Sequence, residues 1–294
     1  KGAPKPLIYR WLRRGEVRLN GGRAKPDTRV TAGDRLRLPP WQPVAVESGA
    51  PPPASLSERL RHATLYEGDG LIIIDKPSGI PVHAGSGLRF GVIEILRALR
   101  RDLPYLELVH RLDRATSGCL LLATDPARLR QLNRAIAGPD VGKRYLALLA
   151  GVANFTRQRV TAPLTRGLDE AGEGYMHVAP DGQAADTTFI VREQLPTATL
   201  VEAELGSGRT HQIRVHAQSL GLPVAGDERY GSPAVNQELA RHGLRRLFLH
   251  AFSLRLALPG EAVLKFTSPL PAELEAVLAR LRGVVDQGAR VPMR

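Results

Sequence analysis

The chain has 294 residues, 43% of them hydrophobic and 24% charged, a balance that fits a globular protein and excludes a disordered or fibrous one. It carries 41 Lys and Arg against 29 Asp and Glu, a net +12 that points to a polyanionic partner, nucleic acid before an anionic membrane. A single cysteine excludes an internal disulfide and a multi-cysteine zinc site, and no apolar run approaches the ~20 residues of a membrane span. With no signal-like segment at its start, the chain is expected in the reducing cytoplasm.

Residues 1–40 hold eleven Lys and Arg and three acids, which is eight of the twelve net positive charges. Here LIYRWLRRGEV places Leu7, Ile8, Trp11 and Leu12 at helical spacing, with Arg10, Arg13 and Arg14 on the polar side. The strand-like pieces VRLN and DRLRLPP follow, and Asn20-Gly21-Gly22 is a turn signal between them. A basic helix followed by a small basic ribbon suits RNA docking, and Arg10, Arg13 and Arg14 are its candidate contacts. The Pro-, Ser- and Gly-rich stretch up to residue 57 lacks periodicity and reads as a linker. The expected organisation is therefore a small module at 1–40, a linker at 41–57 and a main domain at 58–294.

In the main domain the patterning predicts strands over 71–75, 119–124, 144–151, 186–195, 199–205, 247–258 and 262–268. Helices are predicted over 91–101, 126–137, 211–221 and 271–282. Strands often follow one another without a helix between, so the fold class is α+β, with a mixed and largely antiparallel sheet.

Four stretches carry candidate chemistry. In HRLDRATSG, residues 110–118, Asp113 lies between Arg111 and Arg114 where a polar turn enters an apolar run. Carboxylates surrounded by cations at such boundaries are enriched at functional sites, against the alternative of a structural Arg–Asp pair. A kinase-type loop is excluded, because Leu112 separates Arg111 from Asp113 and Gly118 stands where that loop needs Asn. No phosphate-binding or dinucleotide glycine motif opens a helix, and no His or Cys set has zinc spacing, so neither cofactor nor metal is expected. His110, His211, His216 and His250 read as packing or hydrogen-bonding residues. Cys119, in an apolar strand, reads as a buried thiol rather than a nucleophile. An Asp without a catalytic His points to a carboxylate nucleophile or base.

The second stretch, GSGRTHQIRVHAQSLGLP, makes Thr210 the expected helix cap, with Arg209 before it and Arg214 in the first turns. In the third, KRYLALLAG, Tyr145 begins a buried strand, either as core or as a platform for a base. The fourth, DKPSGIPVHAGSG, is a loop expected to shape a cleft rather than react.

HRLDRATSG, DKPSGIPVH, KRYLAL, GRTHQIRVH and RLFLHA stand in the order and approximate spacing of the RluA-type pseudouridine synthases, a family this chain resembles over nearly its whole length. The front segment, IYRWLRRGEVRLN with KPDTRVTAGDRLRLPP, is similar to the S4-like RNA-binding module of some members, shortened so that its first helix is expected before Lys1. Together with HAGSGLRFGVIEILRALR it most resembles the C subtype, which acts on large-subunit ribosomal RNA. The resemblance implies isomerisation of uridine to pseudouridine with no cofactor or metal, by a monomer that flips the target base out of RNA. It implies Asp113 as nucleophile or base, Arg214 as its ion-pair partner and Tyr145 stacked on the uracil. Arg111 is implied to help extrude the base and Leu249 to form an apolar floor, with Arg209 as an RNA contact. A non-catalytic RNA-binding or ribosome-assembly protein on the same scaffold is the alternative. Intact Asp113, Tyr145 and Arg214 argue against it.

Overall fold

The computed structural model describes residues 5–40, 51–85, 89–169 and 174–283. The chain divides into two compact units, Lys1–Pro51 and Pro52–Arg294. Residues 41–50, most of the stretch read as a linker, and residues 86–88 of the HAGSGL segment lie outside the described residues.

In the first unit α1 (Lys5–Arg14) buries Trp11 against Val17 and Ala24 and leaves Arg10, Arg13 and Arg14 exposed. The helix stops at Gly15, whose φ of 68° is left-handed. Strands β1 (Arg18–Leu19), β2 (Gly22–Arg23) and β3 (Leu36–Arg37) form a small antiparallel sheet in the order β2-β1-β3. Asn20 and Gly21, both at positive φ, close the β1–β2 hairpin, because a two-residue turn that matches strand twist needs left-handed backbone.

The second unit opens with α2 (Ala54–Arg61), which starts inside the stretch read as a linker. Leu60 is buried and Leu56 packs beside it, so tertiary contact makes a helix where composition suggests none. Then come β4 (Thr64–Gly68), β5 (Leu71–Lys76), α3 (Val92–Leu99), β6 (Glu107–Leu108), β7 (Ser117–Ala123), α4 (Pro126–Ala137) and β8 (Gly142–Ala150). They are followed by β9 (Arg157–Val160), β10 (Leu164–Leu168), β11 (Gly174–Val178), β12 (Thr187–Gln194) and β13 (Ala198–Leu205). The unit ends with α5 (Gln212–Ser219), α6 (Pro233–Arg241), β14 (Leu249–Leu256), β15 (Leu264–Thr267) and α7 (Ala272–Leu281).

One ten-stranded mixed sheet organises this unit, with the path β4-β5-β7-β14-β8-β13-β12-β9; β15 pairs with β14, and β6 with β7. Among the described pairings only β7 with β14 is parallel, through His250 opposite Ser117 and Ala251 opposite Gly118. Its central strands read as unbroken apolar runs because both faces are covered. Ile72, Ile74, Leu120 and Leu122 meet α3 on one face, while Leu71, Ile73, Cys119 and Leu121 meet α4 on the other. Further along, Leu148 and Leu200 pack on α7, and Ala147, Leu149 and Val201 pack on α5. The α4 start is capped: the Asp125 carboxylate accepts from the N–H groups of Ala127 and Arg128 at 2.8 Å, and Pro126 occupies the first turn. Among the described residues no helix is long and apolar enough to cross a membrane.

Candidate active site

The 110–118 segment leads from β6 into β7 and is fastened at several points. His110, half-buried with its pKa pushed down to about 4 by loss of solvation, accepts the Leu121 N–H through Nε2 at 3.1 Å. Leu112 is buried against α3. The Asp113 carbonyl accepts the Thr116 N–H at 3.1 Å and closes the turn. Gly118, at φ 109°, is a close approach, since a Cβ there would lie 2.3 Å from the Ala251 carbonyl oxygen of β14.

The DKPSG loop, expected to shape a cleft, braces this turn. Lys76, fully buried, donates through Nζ to the carbonyls of Pro77 (2.9 Å), Ile80 (2.8 Å) and Arg114 (3.2 Å). Ser78 donates to the Ala115 carbonyl at 2.7 Å, and Gly79 and Arg114 exchange two further bonds. Burial brings the Lys76 pKa down to about 7, against an opposing pull from the Asp113 charge.

The Asp113 side chain, 18% exposed, meets α5. Its Oδ2 lies 3.5 Å from Nη1 of Arg214 and 3.9 Å from Nε2 of His211. Arg214 is shared, and its shorter bonds go elsewhere: Nε and Nη2 donate to the two carboxylate oxygens of Asp227 at 2.6 and 2.8 Å. Burial works against the Arg214 charge, but the hydrogen bonds and charge of Asp227, with the charge of Asp113, raise its pKa. Burial likewise disfavours the Asp227 carboxylate, yet Arg214 and the N–H groups of Tyr230 and Arg229 hold it below its ordinary value. The guanidinium also sits 4.8 Å above the centre of the Tyr230 ring.

Tyr145, Leu249, Arg111 and Arg209 join Asp113 and Arg214 around a cleft of about 80 Å³. Tyr145 lies on β8 opposite Ala203, inside the strand rather than at its start, and the phenol pKa is raised by burial and by the Asp113 charge. Leu249 is buried, Arg111 is exposed, and Arg209 donates through Nε to the Ala184 carbonyl at 3.1 Å. Arg214 also borders a wider cleft of about 1090 Å³ that Arg114, Arg229, Arg245 and Arg246 line. Thus six of the sequence-predicted residues converge in the second unit. Arg10, Arg13 and Arg14 belong to the first.

Thr210 is not the helix cap. His211 takes that place in left-handed backbone, at φ 54° and ψ 17°, and makes no side-chain cap bond. Gln212 instead folds back: its Oε1 accepts from the Arg209 N–H at 3.0 Å and from the Ser207 hydroxyl at 2.7 Å. The sequence reading also missed Asp227 and Tyr230. Their segment GDERYG carries only a turn signal, and Asp227 does build that turn by accepting the N–H groups of Arg229 and Tyr230 at 3.0 Å. Cys119 is 2% exposed, and burial pushes its pKa up to about 12, which makes it an inert thiol.

A half-buried carboxylate faced by a buried arginine, in a cleft that a tyrosine and a leucine also line beside a wider arginine-bearing one, is an arrangement suited to an enzyme acting on a polyanion. Residues 70–219 match the family model described as RNA pseudouridylate synthase, and the chain belongs to that family as an RNA pseudouridine synthase. It is 46% identical over 286 residues to the ribosomal large subunit pseudouridine synthase C of Haemophilus influenzae, covering 96% of this chain and 88% of that protein. It is 44% identical to the protein of the same description from Escherichia coli (strain K12), covering 96% of this chain and 90% of that one. Among solved structures, human RNA pseudouridylate synthase domain containing 4 aligns with a TM-score of 0.64 at 28% identity, over 78% of this chain and 96% of that chain. Human RNA pseudouridylate synthase domain containing 1 aligns with a TM-score of 0.60 at 26% identity, over 70% of this chain and 82% of that chain.

Proposed function

We propose that this enzyme isomerises uridines of large-subunit ribosomal RNA, with Asp113 as the reacting carboxylate and Tyr145 as the surface on which the extruded base stacks. The description shared by the bacterial relatives supports this substrate. The residue roles rest on one observation above all: Oδ2 of Asp113 faces the Arg214 guanidinium at 3.5 Å in a cleft that Tyr145 and Leu249 also line.

The reaction breaks the N1–C1′ bond, turns the uracil, and joins C5 to C1′. The C5 proton departs, N1 gains one, and no atoms or electrons are added. Such a rearrangement needs a carboxylate held in place, a cation to steady it, and a site that keeps the detached base from leaving. Arg214 supplies the cation, and the Lys76-braced loop supplies the fixed position. Tyr145 and Leu249 offer apolar surface to the base, and Arg111, exposed on the cleft lining, fills the gap left in the RNA. Base extrusion costs a few kcal/mol, offset by stacking and by phosphate contacts along the wide groove. The first unit, with Arg10, Arg13 and Arg14 exposed on α1, acts as a separate RNA tether.

The test is tritium release from 5-tritiated uridine in a large-subunit ribosomal RNA transcript. Asp113→Asn, nearly isosteric, should bind the transcript as the wild type does and release no tritium. Activity within about tenfold of wild type, roughly 1.4 kcal/mol of barrier, would remove Asp113 from the chemistry.

A further inference from the structure

His211 is the least expected member of the Asp113 neighbourhood. Its left-handed backbone costs a non-glycine residue on the order of 1–2 kcal/mol, and such strain gathers where function holds a side chain in place. Nδ1 of His211 lies 2.8 Å from the Tyr230 hydroxyl oxygen. That oxygen already accepts the Met176 N–H at 3.0 Å. Burial raises the Tyr230 pKa, so the phenol keeps its proton and has it to give. The acceptor in reach is Nδ1, and an imidazole that accepts at Nδ1 carries its own proton on Nε2. Burial, with Arg214 and Arg229 beside it, lowers the His211 pKa against the pull of Asp113 and Asp227, which keeps the ring neutral.

Nε2 lies 3.9 Å from Oδ2 of Asp113, and Nη1 of Arg214 lies 3.5 Å from the same oxygen. The two side chains thus stand within 4 Å of the same carboxylate oxygen. We propose that His211 is a positioning residue for the isomerisation: Tyr230 fixes its tautomer, and His211 with Arg214 holds the Asp113 carboxylate in place for the uridine. The 3.9 Å gap closes by about 1 Å as substrate fills the cleft, in the way catalytic hydrogen bonds tighten on binding. This inference rests on the role given to Asp113 above.

Two amides at this position separate the two ring nitrogens. In His211→Asn the amide sits where Nδ1 lies and keeps the Tyr230 contact but offers Asp113 no donor. Asn also accepts left-handed backbone readily, so backbone strain does not account for a loss. In His211→Gln the amide reaches the Nε2 position and restores an N–H to Asp113. The full chain is assayed with the tritiated transcript at saturating protein in a single turnover, and RNA affinity is measured alongside. The Asn variant should lose at least tenfold in rate at unchanged affinity, while the Gln variant stays within about threefold of wild type. An Asn variant as fast as wild type, or Asn and Gln variants equally slow, overturns the proposal.

Tyr230→Phe gives an independent reading if the Asn variant does not fold. It leaves His211 and Asp113 in place but releases the tautomer, so the rate should fall at least threefold at unchanged affinity, and a wild-type rate overturns the proposal. Asp113→Asn runs in the same assay. Activity there sinks the Asp113 role itself, an outcome distinct from failure of the His211 inference alone.

Discussion

Replacing Arg214 with Leu removes one partner of a buried ion pair and the cation facing Asp113, and the two losses can be separated. The side chain is 10% exposed and that of Asp227 is fully buried, with two bonds of 2.6 and 2.8 Å between them. Breaking such a pair from one side costs about 3–5 kcal/mol, because the remaining charge is left without compensation. Arg214→Leu should therefore lose both stability and activity. Adding Asp227→Asn neutralises the orphaned carboxylate while its Oδ1 still accepts from Arg229 and Tyr230. The double variant should recover roughly 2–3 kcal/mol of the lost stability by urea unfolding. Its single-turnover rate should remain at least a hundredfold below wild type, about 2.7 kcal/mol of barrier, because Asp113 still lacks its cation. Coupling below about 1 kcal/mol would mean the pair is not what stabilises the site, and recovered activity would mean Arg214 serves Asp227 alone. The pH dependence follows with a definite sign. The folded pKa of Asp227 is depressed below 3.8, so its contribution is complete above that value and fades as pH falls below it. Asp227→Asn should flatten that acid loss.

Lys76 has a linkage of the same sign in a higher pH window: its folded pKa is near 7 against 10.5 unfolded, so between those values the unfolded chain holds the extra proton and stability from this group rises with pH. Lys76→Met should abolish the rise, seen as urea midpoints compared from pH 7 upward, and slow turnover by loosening the Arg114 carbonyl. Cys119→Ala should stay active at a cost of about 1 kcal/mol in unfolding free energy; complete inactivation of a folded variant would reinstate the thiol as a reacting group. A chain of residues 52–294 should bind ribosomal RNA more weakly, with a shallower dependence on salt and nearly unchanged saturated turnover. An unaltered salt slope would show that the first unit does not contact phosphate.

The elements legible in sequence were those whose pattern reflects local demands. Strands such as 71–76 and 117–123 announce themselves as apolar runs, and α4 by its patterning over 126–137. The short strands β9, β10 and β11 were not, because their alternation is brief and partly exposed and pairing partners define them. Likewise α6 lacks a run of apolar residues and buries Leu239 alone. At the site, Asp113 stood out through its charged neighbours, whereas Asp227 and Tyr230 carry no local mark. Their meaning comes from Arg214, thirteen residues away from Asp227 in the chain. His211 was legible as a hydrogen-bonding histidine, but its nearness to Asp113 goes with a left-handed backbone that contradicts the Thr210 cap suggested by composition.

The short parallel seam between β7 and β14 has a consequence for how the enzyme comes into being. Strand β14 lies between the strand that follows Asp113 and the strand that carries Tyr145, and Ser117 meets His250 across 133 residues of chain. Neither local helix formation nor hairpin zipping can bring these two strands to their final separation. Closing so long a loop is entropically costly and slow relative to local contacts. The two halves of the sheet can each form early, but the space between Asp113 and Tyr145 acquires its dimensions only when a late segment of the polypeptide is inserted. A nascent chain released before that strand is made therefore holds every residue proposed here for the chemistry except Leu249, and has no site.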